Sequence, residues 1–286
     1  MRPAYITEEF LQDFIHSAFR EDVGDGDHSS LAAIPEKSVS KARLLVKDFG
    51  ILAGVDLALQ IFKHADKTLN VDVAITDGKA VKPGDVAFVV SGSSRSILTA
   101  ERLVLNCMQR MSGIATKTRA LAELIKGTPA HILDTRKTTP NFRLLEKWAV
   151  LIGGGYNHRI GLFDMIMLKD NHIDMAGGIK QAIVQTNDYL RATKKKLKIE
   201  IETRSLQEVE EVLAIGNVDV IMLDNMDVET MKKAVKMIGG KYKVEASGGI
   251  TEETIREVAL AGVDYISVGA LTHSIRSLDL SLKAIK

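Results

Sequence analysis

The apolar residues of this chain change their spacing along its length. Over residues 7–22, Phe10, Phe14, Ile15, Ala18 and Phe19 recur at the three- and four-residue intervals of one helix face. Thr7 is placed to cap that helix, and Glu8 and Glu9 fall in its first turn, where the helix dipole favours acids. After a polar, glycine-broken loop at 24–30, the pattern predicts strands at 42–46 and 69–75 with a helix over 55–64 between them. Asp77-Gly78 and Pro83-Gly84-Asp85 signal turns, and a further strand follows at 86–90. The first hundred residues predict a small α+β domain.

A helix-compatible stretch covers 94–126, with Ser112-Gly113 read as the break between two helices. Beyond it, short apolar runs predict strands at 131–134, 165–168, 198–202, 220–223, 243–246 and 265–268. Helical patterns occupy 144–152, 179–190, 206–214, 228–238 and 254–261. Strand starts separated by roughly 34, 33, 22, 23 and 22 residues suit βα units of a parallel sheet, so the repetition predicts an incomplete or modified α/β barrel.

Composition bounds the function. A length of 286 residues with 45% hydrophobic content supports two well-buried domains. With 38 Lys and Arg against 37 Asp and Glu, the net charge of +1 carries no long-range field to gather nucleic acid or an anionic membrane, so neither is expected as a partner. The single cysteine, Cys107, lies on a helical stretch as a core residue and excludes an internal disulfide framework. No apolar run suggests a signal peptide or a membrane span, and a cytoplasmic location is expected.

Against that neutral background, cations concentrate in short motifs: Arg102 in Thr99-Ala100-Glu101-Arg102, Arg136 and Lys137 after Leu133-Asp134-Thr135, His158 and Arg159 after Asn157, and Lys169 before Asp170-Asn171-His172. Such a cluster calls for a compact anion, rich in phosphate or carboxylate. All but Arg102 fall at or beyond predicted strand ends, where the βα loops of barrels carry chemistry. Asp224 with Asn225, Glu202, and Gly269 end further strands. In 198–204 the charged residues alternate with isoleucines, so a face turned into the barrel would present Glu200 and Glu202 as a carboxylate pair fit for ribose hydroxyls or a Mg²⁺-bound substrate; the alternative is the exposed face of an edge strand. Ser247-Gly248-Gly249 follows a strand and is read as opening a helix, a phosphate cup completed by Gly269. Gly153-Gly154-Gly155 is read as a close approach to ligand or a mobile loop. His158 and His172 lack zinc-ligand spacing, and no zinc is expected.

Taken with Gly50-Ile51-Leu52-Ala53-Gly54, Ser112-Gly113-Ile114-Ala115, Leu223-Asp224-Asn225 and Val268-Gly269-Ala270, these motifs closely resemble the quinolinate phosphoribosyltransferases over nearly the whole chain. The resemblance implies an N-terminal α/β sandwich followed by a barrel of seven strands, one more than the six read above. The corresponding division is 1–111 for the sandwich, with 273–286 packing back onto it, and 112–272 for the barrel. It further implies a homodimer, with room for higher assembly, whose active sites lie at the subunit interface.

The family activity is a pentosyl transfer from phosphoribosyl pyrophosphate to quinolinate, with Mg²⁺, giving nicotinate mononucleotide, pyrophosphate and CO₂ in NAD biosynthesis. By family match Arg136, His158, Arg159 and Lys169 form the dicarboxylate pocket, and Arg102 reaches it from the neighbouring subunit. Lys137 and Lys169 balance phosphate charge. Glu202 and Asp224 hold ribose hydroxyls or substrate-bound metal, and Ser247, Gly248, Gly249 and Gly269 hold the 5′-phosphate. The expected catalytic set is therefore Lys137, Lys169, Glu202 and Asp224. Two alternatives are a paralogous phosphoribosyltransferase with another pyridine or pyrimidine acid as acceptor, and a Schiff-base barrel lyase using Lys169.

Overall fold

A computed structural model describes residues 2–285. In chain order its elements are α1 (Glu8–Val23), α2 (His28–Ala33), β1 (Val39–Val46), β2 (Gly50–Ile51), α3 (Val55–Ala65), β3 (Asn70–Val73), β4 (Ala80–Val81), β5 (Val86–Ser93) and α4 (Ser94–Leu124). There follow β6 (His131–Leu133), α5 (Arg143–Gly153), β7 (Ile166–Leu168), α6 (Asp170–Ala176), α7 (Ile179–Thr193), β8 (Ile199–Thr203), α8 (Leu206–Ile215) and β9 (Val220–Asp224). The last elements are α9 (Val228–Ile238), β10 (Lys243–Ser247), α10 (Ile255–Leu260), β11 (Tyr265–Ser267), α11 (Ala270–His273) and β12 (Leu280–Ile285). Two compact units interleave along the chain: Met1–Arg119 with Thr138–Gly154 and Leu271–Lys286, and Ala120–Lys137 with Gly155–Ala270.

In the first unit an antiparallel sheet runs β12-β1-β5-β3, so the chain terminus closes one edge. The expected cap of α1 is present, Thr7 Oγ1 accepting from the Phe10 N–H at 3.1 Å. Leu44 of β1 stands between Leu282 and Phe88, its cross-strand partners, and all three are buried. Phe88 meets Phe62 of α3 edge to face at 5.8 Å, an aromatic contact that ties helix to sheet.

Helix α4 is continuous, which corrects the break expected at Ser112-Gly113. Both residues serve packing. The Ser112 hydroxyl accepts from Ala53 N at 2.9 Å and donates to Ala53 O at 3.1 Å, and Thr116 Oγ1 accepts from Ile51 N at 2.8 Å, so the helix side satisfies the backbone beyond β2. A Cβ on Gly113 would stand 2.4 Å from the Arg276 carbonyl, so the glycine admits the passing chain. The glycine run at 153–155 is corrected in the same way. Gly153 ends α5, where a Cβ would lie 2.6 Å from Ala115 O, and Gly154 is the left-handed cap at φ +95°. These two glycines close a helix against α4.

The second unit holds a parallel sheet in the order β6-β11-β10-β9-β8-β7, flanked by α7, α8, α9 and α10. Tyr156 adds a single parallel bridge beside β6, its N–H donating to Ile132 O at 2.8 Å and its carbonyl accepting from Asp134 N at 3.2 Å. One bridging residue after a glycine run leaves no strand-like pattern, which is why six strands were legible. β8 lies between β7 and β9 and is buried at every residue, so it is not an edge strand. Helix α6 was not read from the sequence, since its seven residues are too few to show a helical repeat of apolar positions.

Candidate active site

The carboxyl ends of the parallel strands present three groups of side chains. The first follows β6. Buried Asp134 accepts from Asn157 Nδ2 at 2.5 Å and from the His158 N–H at 2.9 Å, which pins the Asn157-His158-Arg159 turn to the strand end. Asp134 therefore shapes a cationic turn. Arg159 is 9% exposed and donates to Met165 O at 3.3 Å. Burial, and then the neighbouring Arg136, hold its guanidinium below its ordinary range, while Glu200 and Asp164 partly restore it. Two guanidinium groups that repel one another in a desolvated pocket favour an incoming anion, which relieves both penalties.

A second group joins β7, β8 and β9. Glu202 is 8% exposed, and its carboxyl is raised above the usual range first by burial and then by Asp224, with Lys169 opposing the rise. The Asp224 carboxylate accepts from Asn225 Nδ2 at 2.6 Å. Lys169 is exposed at the end of β7, and its N–H donates to His172 Nδ1 at 3.1 Å. Lys137 is likewise exposed, its backbone held by Thr135 Oγ1 at 3.1 Å. Two carboxylates brought together beside a lysine can bind hydroxyl groups, a developing positive charge or a hydrated cation.

The third group is the glycine cup. Gly248 (φ +93°) and Gly249 (φ +59°) follow β10 in conformations open to glycine, and the Asn225 N–H donates to Ser247 O at 2.9 Å. Gly269 follows β11 in the neighbouring strand. No helix opens directly on the glycine pair, because α10 begins only at Ile255. A phosphate in this turn would meet backbone N–H groups alone, without the dipole of the helix expected to open there.

Glu200 does not pair with Glu202. Its Oε2 accepts from His158 Nε2 at 2.8 Å, and Glu245 Oε2 of β10 lies 3.5 Å from the same nitrogen. Glu245 escaped the sequence reading; the available signal was a lone acid inside the apolar run Val244-Glu245-Ala246, the same anomaly as Glu200. Arg102 is exposed on α4, in the other unit from these groups. Burial pushes the Cys107 thiol up to about 12, so it stays protonated and unreactive, as expected of a core residue.

A parallel barrel-like sheet whose strand ends carry an arginine pair, a carboxylate pair and a glycine cup defines an anion-binding α/β barrel. Residues 114–283 match the model of the quinolinate phosphoribosyl transferase C-terminal domain, and residues 27–112 that of the N-terminal domain. The chloroplastic nicotinate-nucleotide pyrophosphorylase [carboxylating] of Oryza sativa subsp. japonica is 49% identical over 98% of this chain and 79% of its own length. The probable nicotinate-nucleotide pyrophosphorylase [carboxylating] of Bacillus subtilis (strain 168) is 40% identical, covering 95% of this chain and 92% of its own. The crystal structure of NadC from Streptococcus pyogenes superposes with a TM-score of 0.92 at 40% identity, over 98% of this chain and 99% of that one. The chain belongs to the quinolinate phosphoribosyltransferase family.

Proposed function

We infer that the chain is a carboxylating nicotinate-nucleotide pyrophosphorylase of NAD biosynthesis, converting quinolinate and phosphoribosyl pyrophosphate to nicotinate mononucleotide, pyrophosphate and CO₂. The observation that supports this reading is that a cation pair, Arg136 and Arg159, and a carboxylate pair, Glu202 and Asp224, both belong to the loops and strand ends of the barrel-like unit. Quinolinate brings two carboxylates, and guanidinium forks match that geometry where a point charge does not. Arg136, His158, Arg159 and Lys169 line the acceptor pocket in this reading, and Arg102 of a neighbouring subunit completes it in a homodimer.

The pyridine nitrogen forms its bond to C1′ as the C1′–O bond breaks, and the electron pair leaves with pyrophosphate. Positive charge then grows on the ribose, which Glu202 and Asp224 stabilise from fixed positions while Lys137 and Lys169 meet the departing anion. Burial, and then the neighbouring Asp224, raise the Glu202 carboxyl, which fits a pair that also draws a divalent cation. Mg²⁺ brought with the pyrophosphate would neutralise charge on the leaving group. Ser247, Gly248, Gly249 and Gly269 hold the 5′-phosphate. The ring, now a pyridinium, accepts the electron pair released as the adjacent carboxylate departs as CO₂; the ring carbon then takes a proton.

No helix among the described residues is long and apolar enough to cross a membrane. A reducing cytoplasm suits the single buried thiol. The deciding assay mixes the protein with quinolinate, phosphoribosyl pyrophosphate and Mg²⁺ and follows pyrophosphate and CO₂ together. Turnover on nicotinate in place of quinolinate would overturn the acceptor assignment.

A further inference from the structure

Behind His158 of the acceptor pocket stand two buried glutamates, Glu200 and Glu245, to which the reaction above gives no role. Glu200 is fully buried and Glu245 is 1% exposed, yet Oε1 of each has no hydrogen-bond partner among the described residues. The two carboxyl groups face one another, and with His158 their nearest N and O atoms all lie within 4.8 Å. Two ionised glutamates at this separation, with bare oxygens in a dry interior, would repel strongly. Something positive has to join them, and it is either an ion or a proton.

The imidazole argues for the proton. His158 Nδ1 accepts from the Arg159 N–H at 2.7 Å, so in the neutral ring the proton sits on Nε2, which donates to Glu200 at 2.8 Å. Nitrogen and oxygen ligands about 2.0–2.1 Å from a tetrahedral ion stand about 3.3 Å apart, wider than this direct hydrogen bond. Glu200 is thus already engaged as the carboxylate partner of His158. The charged and polar groups acting on Glu245 are Glu200 from β8, His158 from the turn after Tyr156, Asp134 from the end of β6 and Ser267 from β11, the last favouring the charged form; its register partners are Met222 on β9, which is uncharged, and Tyr265 on β11. Every nearby carboxylate favours a neutral Glu245, and burial pushes its carboxyl well above the usual range.

We propose that Glu245 is a neutral acid whose hydroxyl donates to Glu200, and that this donation makes Glu245 a positioning residue for the acceptor pocket. Glu200 then carries a single negative charge, held between the Glu245 hydroxyl and the His158 ring. Through that ring it sets the turn that presents Arg159. The proton also sets the charge of the pocket. A second ionised glutamate would add a further negative charge beside the cations that a dicarboxylate must meet.

The proposal rests on quinolinate as acceptor, and its test separates the two. In the full-length protein, Glu245→Gln keeps a neutral donor and is expected to hold the quinolinate KM and kcat within about threefold of wild type. Glu245→Met keeps the volume without a donor and is expected to raise the quinolinate KM about tenfold or more, with the KM for phosphoribosyl pyrophosphate little changed. The infrared difference spectrum of wild type minus Glu245→Gln at pH 7.5 is expected to contain the C=O stretch of a protonated carboxyl. Absence of that band overturns the proposal whatever the kinetics, and remains readable if Glu245→Met fails to fold. So does a stoichiometric divalent ion in purified wild type that Glu245→Gln lacks, or equal quinolinate KM values for a folded Glu245→Met and wild type. Wild type without quinolinate turnover but with the carboxyl band would refute the acceptor and leave the neutral acid standing.

Discussion

Replacing Gly248 with alanine tests whether the turn after β10 is a phosphate cup or a plain connection. Its φ of +93° places an L side chain in a disfavoured region, at a cost of about 1–2 kcal/mol. The new Cβ would also stand 2.2 Å from Asn225 Oδ1, 2.5 Å from its Cγ and 2.9 Å from its backbone nitrogen. The side-chain contacts can be relieved by rotation, but the backbone contact requires the turn itself to move, adding about 1–3 kcal/mol. Rotation of Asn225 would in addition release Asp224, whose carboxylate it now holds at 2.6 Å. Gly249 supplies the control: at φ +59° a Cβ meets nothing within 4 Å, so alanine there costs about 1 kcal/mol and leaves Asn225 in place. Steady-state kinetics with phosphoribosyl pyrophosphate varied, alongside urea midpoints for folding, would read both effects. A displacement near 1 Å in a binding turn corresponds to a loss of about 100-fold in kcat/KM for Gly248→Ala, against less than about fivefold for Gly249→Ala. Equal kinetics for the two folded variants would refute the cup.

Three further outcomes are open to measurement. Buried Glu146 accepts from Arg110 at 2.8 and 3.1 Å and from Thr139 N and Oγ1 at 3.1 and 3.0 Å, so Glu146→Gln should cost about 3 kcal/mol by leaving the Arg110 cation uncompensated, measurable as a lowered urea midpoint. Because folded Glu245 keeps a proton that the unfolded chain gives up near the ordinary 4.5, its share of stability is complete below that pH and is lost as pH rises toward its elevated folded value; the loss amounts to at most about 1.4 kcal/mol per pH unit. Thermal melts of Glu245→Gln from pH 5 to 8 should therefore fall less steeply than those of wild type, and parallel curves would contradict a raised carboxyl. If Arg102 serves a neighbouring subunit, mixing inactive Arg102→Ala and Lys169→Ala chains should restore part of the activity, and verified heterodimers without activity would argue against a shared site.

The sequence by itself determined where the strands and their charged ends lie. Parallel strands buried on both faces must be short apolar runs, and a charge that ends such a run, as Lys169 ends β7 and Asp224 ends β9, marks the exit into a loop. Those signals are local, so they survive in one dimension. The partners of each charge are not local. Strand alternation put Glu200 and Glu202 on one face and suggested a pair, but barrel side chains form layers from alternate strands, so the order β10-β9-β8 hands Glu200 to Glu245, while Glu202 meets Asp224 at the end of the adjacent strand. The roles of Ser112-Gly113 and of Gly153 were hidden for the same reason, since a glycine that admits a neighbouring backbone looks, in sequence, like one that breaks a helix or one that borders a ligand. Residue types at strand ends were enough to predict an anion site. Which carboxylate keeps a proton, and which cation it orients, depends on distances between segments more than 40 residues apart in sequence, and only the folded chain sets those.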